Sequence, residues 1–199
     1  MAVKHAFTSP KADGGDATLV RPSNWNAEHI GGSILNRDLN QISVTNNAVE
    51  TSIYSFAIPA NKMGSDGGVR LVISGTILVN VAGTFVIRVK LGATTFFVSG
   101  SIDLSDAPQT YKFWVELILM NSATNAQKAA LLGKFIASST SIGGADQSTV
   151  GQFSLAGYGT AAEDTTVDKT LDVTWDWSAA SANLSCLKEM AVLDLIAPS

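Results

Sequence analysis

The stretch Tyr111-Lys112-Phe113-Trp114-Val115-Glu116-Leu117-Ile118-Leu119 puts Tyr111, Phe113, Val115, Leu117 and Leu119 at every second position, with Lys112, Trp114, Glu116 and Ile118 between them. A period of two lays the first set on one face of a β-strand, whereas a helix needs apolar residues three and four apart. The same reading holds in 83–91, where Phe85, Ile87, Val89 and Leu91 oppose Thr84, Val86, Arg88 and Lys90. It holds again in 171–177, where Leu171, Val173, Trp175 and Trp177 oppose Asp172, Thr174 and Asp176. Further strands are predicted over 53–58, 69–79, 94–98, 128–138 and 184–196. Gly92-Ala93 reads as a tight hairpin connection between two of them. Ala126–Ile136 is rich in helix formers, but Gly133 would cost about 1 kcal/mol inside a helix. With Phe135-Ile136 running into Ser138-Ser139-Thr140, the segment is read as mostly strand. Many short strands with turn signals between them predict an all-β protein, a jelly-roll-like sandwich over residues 41–199.

Residues 1–40 are of another kind. They hold Pro10, Pro22, Gly14-Gly15 and Gly31-Gly32 with no sustained apolar period, too little to form a core alone. Phe7, Leu19, Val20, Trp25 and Ile30 are nevertheless spaced along them as anchors. The expectation is an extended arm that orders against a partner.

Composition narrows the function classes. The 199 residues are 46% hydrophobic and 15% charged, with net charge −4, one Cys and two His. A charged share below the usual value of about 25% predicts that partners cover part of the surface. The acidic balance leaves no basic stripe for nucleic acid. No apolar run approaches the roughly 20 residues of a membrane-spanning helix, and the first residues lack the apolar stretch of a signal peptide. One Cys rules out an internal disulfide and any two- or four-Cys zinc site.

Two strands are apolar on part of both faces. Beyond Trp114, the outward side of 112–120 carries Ile118 and Met120. In 184–196, Leu184, Cys186, Met190 and Val192 fall to one side, and Leu187, Ala191, Leu193 and Leu195 to the other. An antiparallel sandwich is ordinarily wet outside. Trp114, Ile118, Met120, Leu187, Leu193 and Leu195 are therefore expected at an oligomer interface.

Residues patterned for chemistry are few. His5 and His29 lie in the arm, away from any rigid scaffold for a metal or nucleophile. No HExxH, GxSxG or phosphate-loop spacing occurs. Asp13-Gly14-Gly15-Asp16 and Ser65-Asp66-Gly67-Gly68 read as turns, since neither carries the ligand pattern of a calcium loop. Glu116, Asp172 and Asp176 are candidate glycosidase carboxylates but sit on outward faces, where charge serves solvation. Trp175 and Trp177 share their face with Leu171 and Val173 and read as core. Cys186 reads as a buried, inert thiol. No catalytic, cofactor or metal site is expected.

His5-Ala6-Phe7, the turn Asp13-Gly14-Gly15-Asp16 and Thr18 through Pro22-Ser23-Asn24-Trp25-Asn26-Ala27-Glu28-His29 together resemble the N-terminal signature of tailed-bacteriophage virion structural proteins. Tyr54–Asn61 and Ser181–Ser185 also look like the β-sandwich domain of such proteins. The resemblance implies a non-enzymatic structural protein, usually trimeric, made in the bacterial cytoplasm and built into the virion. Its arm would fasten it to capsid or tail through Phe7, Leu19, Val20, Pro22, Ser23, Asn24, Trp25, Asn26 and His29. Ending at Ser199 without a repeat shaft, the chain fits a decoration protein, a short spike or a fibre's base better than a long fibre. A competing expectation is a host-glycan module using Trp114 or loops near 143–150 and 157–164. Another is a depolymerase with carboxylates between subunits.

Overall fold

The computed structural model describes residues 34–104, 109–138 and 152–198. These form twelve strands: β1 (Ile34–Asp38), β2 (Ile42–Thr45), β3 (Thr51–Ile58), β4 (Gly68–Val79), β5 (Thr84–Leu91), β6 (Thr94–Val98), β7 (Ile102–Asp103), β8 (Gln109–Ala123), β9 (Ala126–Ser138), β10 (Gln152–Ala161), β11 (Lys169–Trp177) and β12 (Leu184–Ile196). One sheet runs β1-β12-β4-β8-β9-β10, with β2 also on β12; the other runs β3-β11-β5-β6, with β7 on β5. All pairings are antiparallel.

The pairing is nested: β2 joins β12, β3 joins β11, β4 joins β8, and β5 joins β6. A long hairpin rolled up in this way is a jelly roll, here with β9 and β10 added beyond β8. Its innermost turn is Gly92-Ala93, linking Leu91 to its ladder partner Thr94. Gly92 takes φ 56°, the left-handed value that a two-residue hairpin loop demands and that glycine adopts without Cβ strain. Ala126–Ile136 lies wholly in β9, in register with β8 from Ala123↔Ala126 to Thr110↔Ser138.

The alternating apolar sets meet between the sheets. Trp175 stacks on Phe85 with centroids 4.1 Å apart, and Trp177 meets the same ring edge-on at 5.4 Å. Trp177 Nε1 donates to the Val44 carbonyl at 3.1 Å, so the larger ring system is buried with its polar atom satisfied. At the rim, β10 crosses close to β6. A Cβ on Gly159 would lie 2.0 Å from the Phe96 carbonyl oxygen, so only glycine permits this approach.

Three expectations change. β12 does not alternate evenly: its register with β4 slips between Lys188 and Met190. Leu184, Cys186 and Lys188 point inward before this bulge, and Ala191, Leu193 and Leu195 after it. One extra residue turns the strand over, so Leu193 and Leu195 are core residues and Leu187 faces outward. Residues 34–38, read as arm, are strand β1 on the edge of β12. Gly157–Asp164, read as loop, begins in strand β10.

Lys188 is fully buried by this arrangement, its ammonium ion-paired to Asp38 of β1. The edge breaks between β1 and β2 opposite the bulge, where Gln41 donates to the Glu189 carboxylate. Burial alone would raise the Asp38 carboxyl, but hydrogen bonds from Lys188 and the Asn40 backbone, with the lysine charge, hold it below its ordinary 3.8.

Candidate functional site

The two outer faces differ in kind. Outside the β3-β11-β5 sheet lies an ion network: Arg88 bridges Asp176 at 2.9 Å and Glu50 at 3.3 Å, and Glu50 also holds Lys90 and accepts from Thr174. That is the wet face expected of a sandwich. The face of β12-β4-β8-β9-β10 is instead studded with Trp114, Ile118, Leu132, Ile136, Tyr158 and Met190, all exposed; Tyr158 is 89% exposed and Trp114 45%. Large exposed apolar side chains gathered on one sheet face mark an interaction site.

The ladder sets these residues in rows across the sheet. One row reads Met190–Ser74–Trp114–Lys134, the next Val192–Val72–Glu116–Leu132, and a third Leu187–Thr76–Lys112–Ile136. Because Ser74 is small beside Trp114, the first row contains a groove of about 410 Å³, walled by Lys134 and Ile136 on one side and Glu189 and Met190 on the other. A second depression of about 330 Å³ lies between Ile118, Leu132, Ala156 and Tyr158.

Charge on this face is unevenly paired. Arg70 and Glu116 pair at 2.7 Å. Lys112, Lys128 and Lys134 on β8–β9, and Glu189 and Asp194 on β12, form no ion pair among the described residues.

The structure brings Trp114, Ile118 and Met120 onto this face as expected, together with Leu187. Leu132, Ile136, Tyr158, Met190 and Val192 join them unforeseen. The alternation of Ala130, Leu132, Lys134 and Ile136 was present in the sequence but hidden by the helix-forming composition of β9. Phe7, Leu19, Val20, Pro22, Ser23, Asn24, Trp25, Asn26 and His29 lie outside the described residues, as does 143–150.

The carboxylates considered for catalysis are engaged. Glu116 binds Arg70, Asp176 binds Arg88, and Asp172 accepts from Ser52. Gly67 closes a turn, its NH donating to the Met63 carbonyl at 2.9 Å. Among the described residues, no three His, Cys, Asp or Glu side chains gather as metal ligands. Cys186 is completely buried, and burial pushes its thiol well above its ordinary pKa.

No family model matches this chain. No curated protein matches it either. Among solved structures it is similar to the CBM2 module of the evolved Dit of Lactobacillus casei BL23 phage J-1, at 10% identity and TM-score 0.29 over 73% of this chain and 69% of that one. It is also similar to a structure of infectious bursal disease virus Gx strain, at 10% identity and TM-score 0.29. Infectious bursal virus derived T=1 particles give 11% identity and TM-score 0.29. For both bursal virus structures the match covers 95% of this chain and 45% of the other.

Proposed function

We propose that this protein is an exterior structural component of a tailed-phage virion, an oligomer of its own chain fastened to capsid or tail by its N-terminal arm. The observation that carries the reading is the contrast between faces: one is wet and ion-paired, while the other displays Trp114, Ile118, Leu132, Ile136 and Tyr158. A sheet surface so apolar is stable in water when another protein covers it. The resemblance of residues 5–29 to virion attachment signatures supplies the destination. The proposal assigns assembly to this chain and no catalytic step, cofactor, nucleic acid or membrane.

Within the arm, Phe7, Leu19-Val20 and Trp25 are the apolar anchors. Pro22 favours an extended Arg21 and so helps direct Ser23-Asn24-Trp25, with Asn26, His5 and His29 as polar contacts. Trp25 carries the largest share, since a buried tryptophan at a hot spot contributes about 2 kcal/mol or more. Deleting residues 1–30 tests this, because the cut leaves β1 whole. The shortened protein should keep its circular dichroism and oligomer mass yet fail to enter phage particles. Undiminished incorporation refutes the arm's role.

A second reading rests on Trp114, which stands half-exposed beside the groove as a sugar-stacking ring would. It expects glycan-array binding by the purified protein that Trp114→Ala abolishes.

A further inference from the structure

We propose that the apolar face closes on the same face of a second copy across a two-fold axis running between β4 and β8, parallel to the strands. Each Trp114 then seats over the Ser74–Gly75 dimple of the other copy, and each Lys134 meets the other copy's Glu189. The inference deepens the reading of this face as an oligomer contact and rests on it.

The rows make the argument. An axis between β4 and β8 exchanges Trp114 with its neighbour Ser74, so the bulkiest projection in the row lands on a small side chain. It exchanges β9 with β12, bringing Leu132 onto Val192 and Ile136 onto Leu187, apolar on apolar. It also carries Lys134 onto Met190 and the adjoining Glu189.

Charge selects this axis over the alternative. Among the described residues of this face, the lysines free of ion pairs lie on β8–β9 and the carboxylates free of them lie on β12. A two-fold perpendicular to the strands would lay β9 on β9, lysine against lysine. The parallel axis lays Lys134 against Glu189 instead, a complementarity that fixes register and rejects wrong pairings.

The area suffices. With the further row Asp194–Arg70–Ile118–Ala130, four strands about 4.8 Å apart and four rows about 6.8 Å apart make a patch of roughly 19 by 27 Å, or roughly 1,000 Å² over both copies, the threshold for a specific interface. The contact is isologous and closes after two copies, unlike the three-fold symmetry that the N-terminal resemblance implies.

The test uses the full-length chain and its mass in solution by sedimentation equilibrium. The expected species is a dimer of the 20.8 kDa chain. Lys134→Glu and Glu189→Lys should each raise the dimer dissociation constant by roughly tenfold or more. Their equimolar mixture should restore dimerisation, because each hybrid pair regains both contacts. Trp114→Ala should weaken the dimer by about 30-fold, the loss of a typical tryptophan hot spot. Unchanged circular dichroism would show that the variants still fold.

A trimer, a monomer covered by its own arm, or a dimer that ignores both charge reversals overturns the two-fold contact. Particle incorporation is read separately. A chain that enters particles without forming this dimer leaves the virion role standing, whereas a two-fold dimer that never enters particles overturns that role alone.

Discussion

Asp38→Asn isolates the ion pair that holds the first strand to the last. Lys188 is fully buried, and Asp38 keeps 16% of its side-chain exposure. Asparagine preserves shape and the bond from the Asn40 backbone but removes the charge facing the ammonium. Removing one partner of a buried pair costs about 3–5 kcal/mol, and the partial exposure of Asp38 points to the lower end, about 3 kcal/mol. For a domain of this size that lowers Tm by about 6–12 °C. Lys188→Met, by contrast, removes the ion that requires compensation, and the remaining carboxylate can turn to water; the expected change is within about 1 kcal/mol. Urea titrations should show a clearly lowered midpoint for Asp38→Asn and a nearly unmoved one for Lys188→Met, with unchanged slopes in both. An Asp38→Asn protein as stable as the parent, or a Lys188→Met protein equally damaged, would refute the assignment.

Acid should loosen the fold through three carboxylates. Glu50 is held below its ordinary 4.5 by hydrogen bonds from Lys90 and Thr174, and Glu163 by those from Lys169 and Thr94. Asp38 is likewise depressed. Their contribution is complete above the unfolded-state values and lost as pH falls through the lower folded-state ones, so Tm should decline below about pH 5; a flat Tm down to pH 3 would contradict it. Gly159→Ala should destabilise by about 1–3 kcal/mol in chemical denaturation, since the new methyl meets the Phe96 carbonyl. Cys186 should resist a thiol reagent in the native protein and react fully in denaturant; labelling at the native rate of a free thiol would place it outside the core.

The strands with clean alternation were legible from the residues alone. Phe85 to Leu91 and Leu171 to Trp177 point inward as their spacing requires, and Trp114 points outward. Local period stopped being informative where tertiary structure intervenes. Nothing in Leu187-Lys188-Glu189-Met190 announces a bulge, yet that one residue reverses the faces of Leu193 and Leu195. Nor does a lysine declare itself buried until β1 supplies Asp38. β10 escaped because 157–164, with Gly157 and Gly159, read as loop. Here they are close-approach positions against β6 that leave Tyr158 standing outside.

The nested ladder also governs when the polypeptide can acquire its shape. Thr45 finds Ser185 only after the intervening chain has been synthesised, which takes roughly 10–30 s on a ribosome. Until then the central β12 position is vacant, β1 and β2 have no partner along their length, and the nascent chain carries its greasy surfaces unprotected. Completion of this sheet is therefore a late event of high contact order.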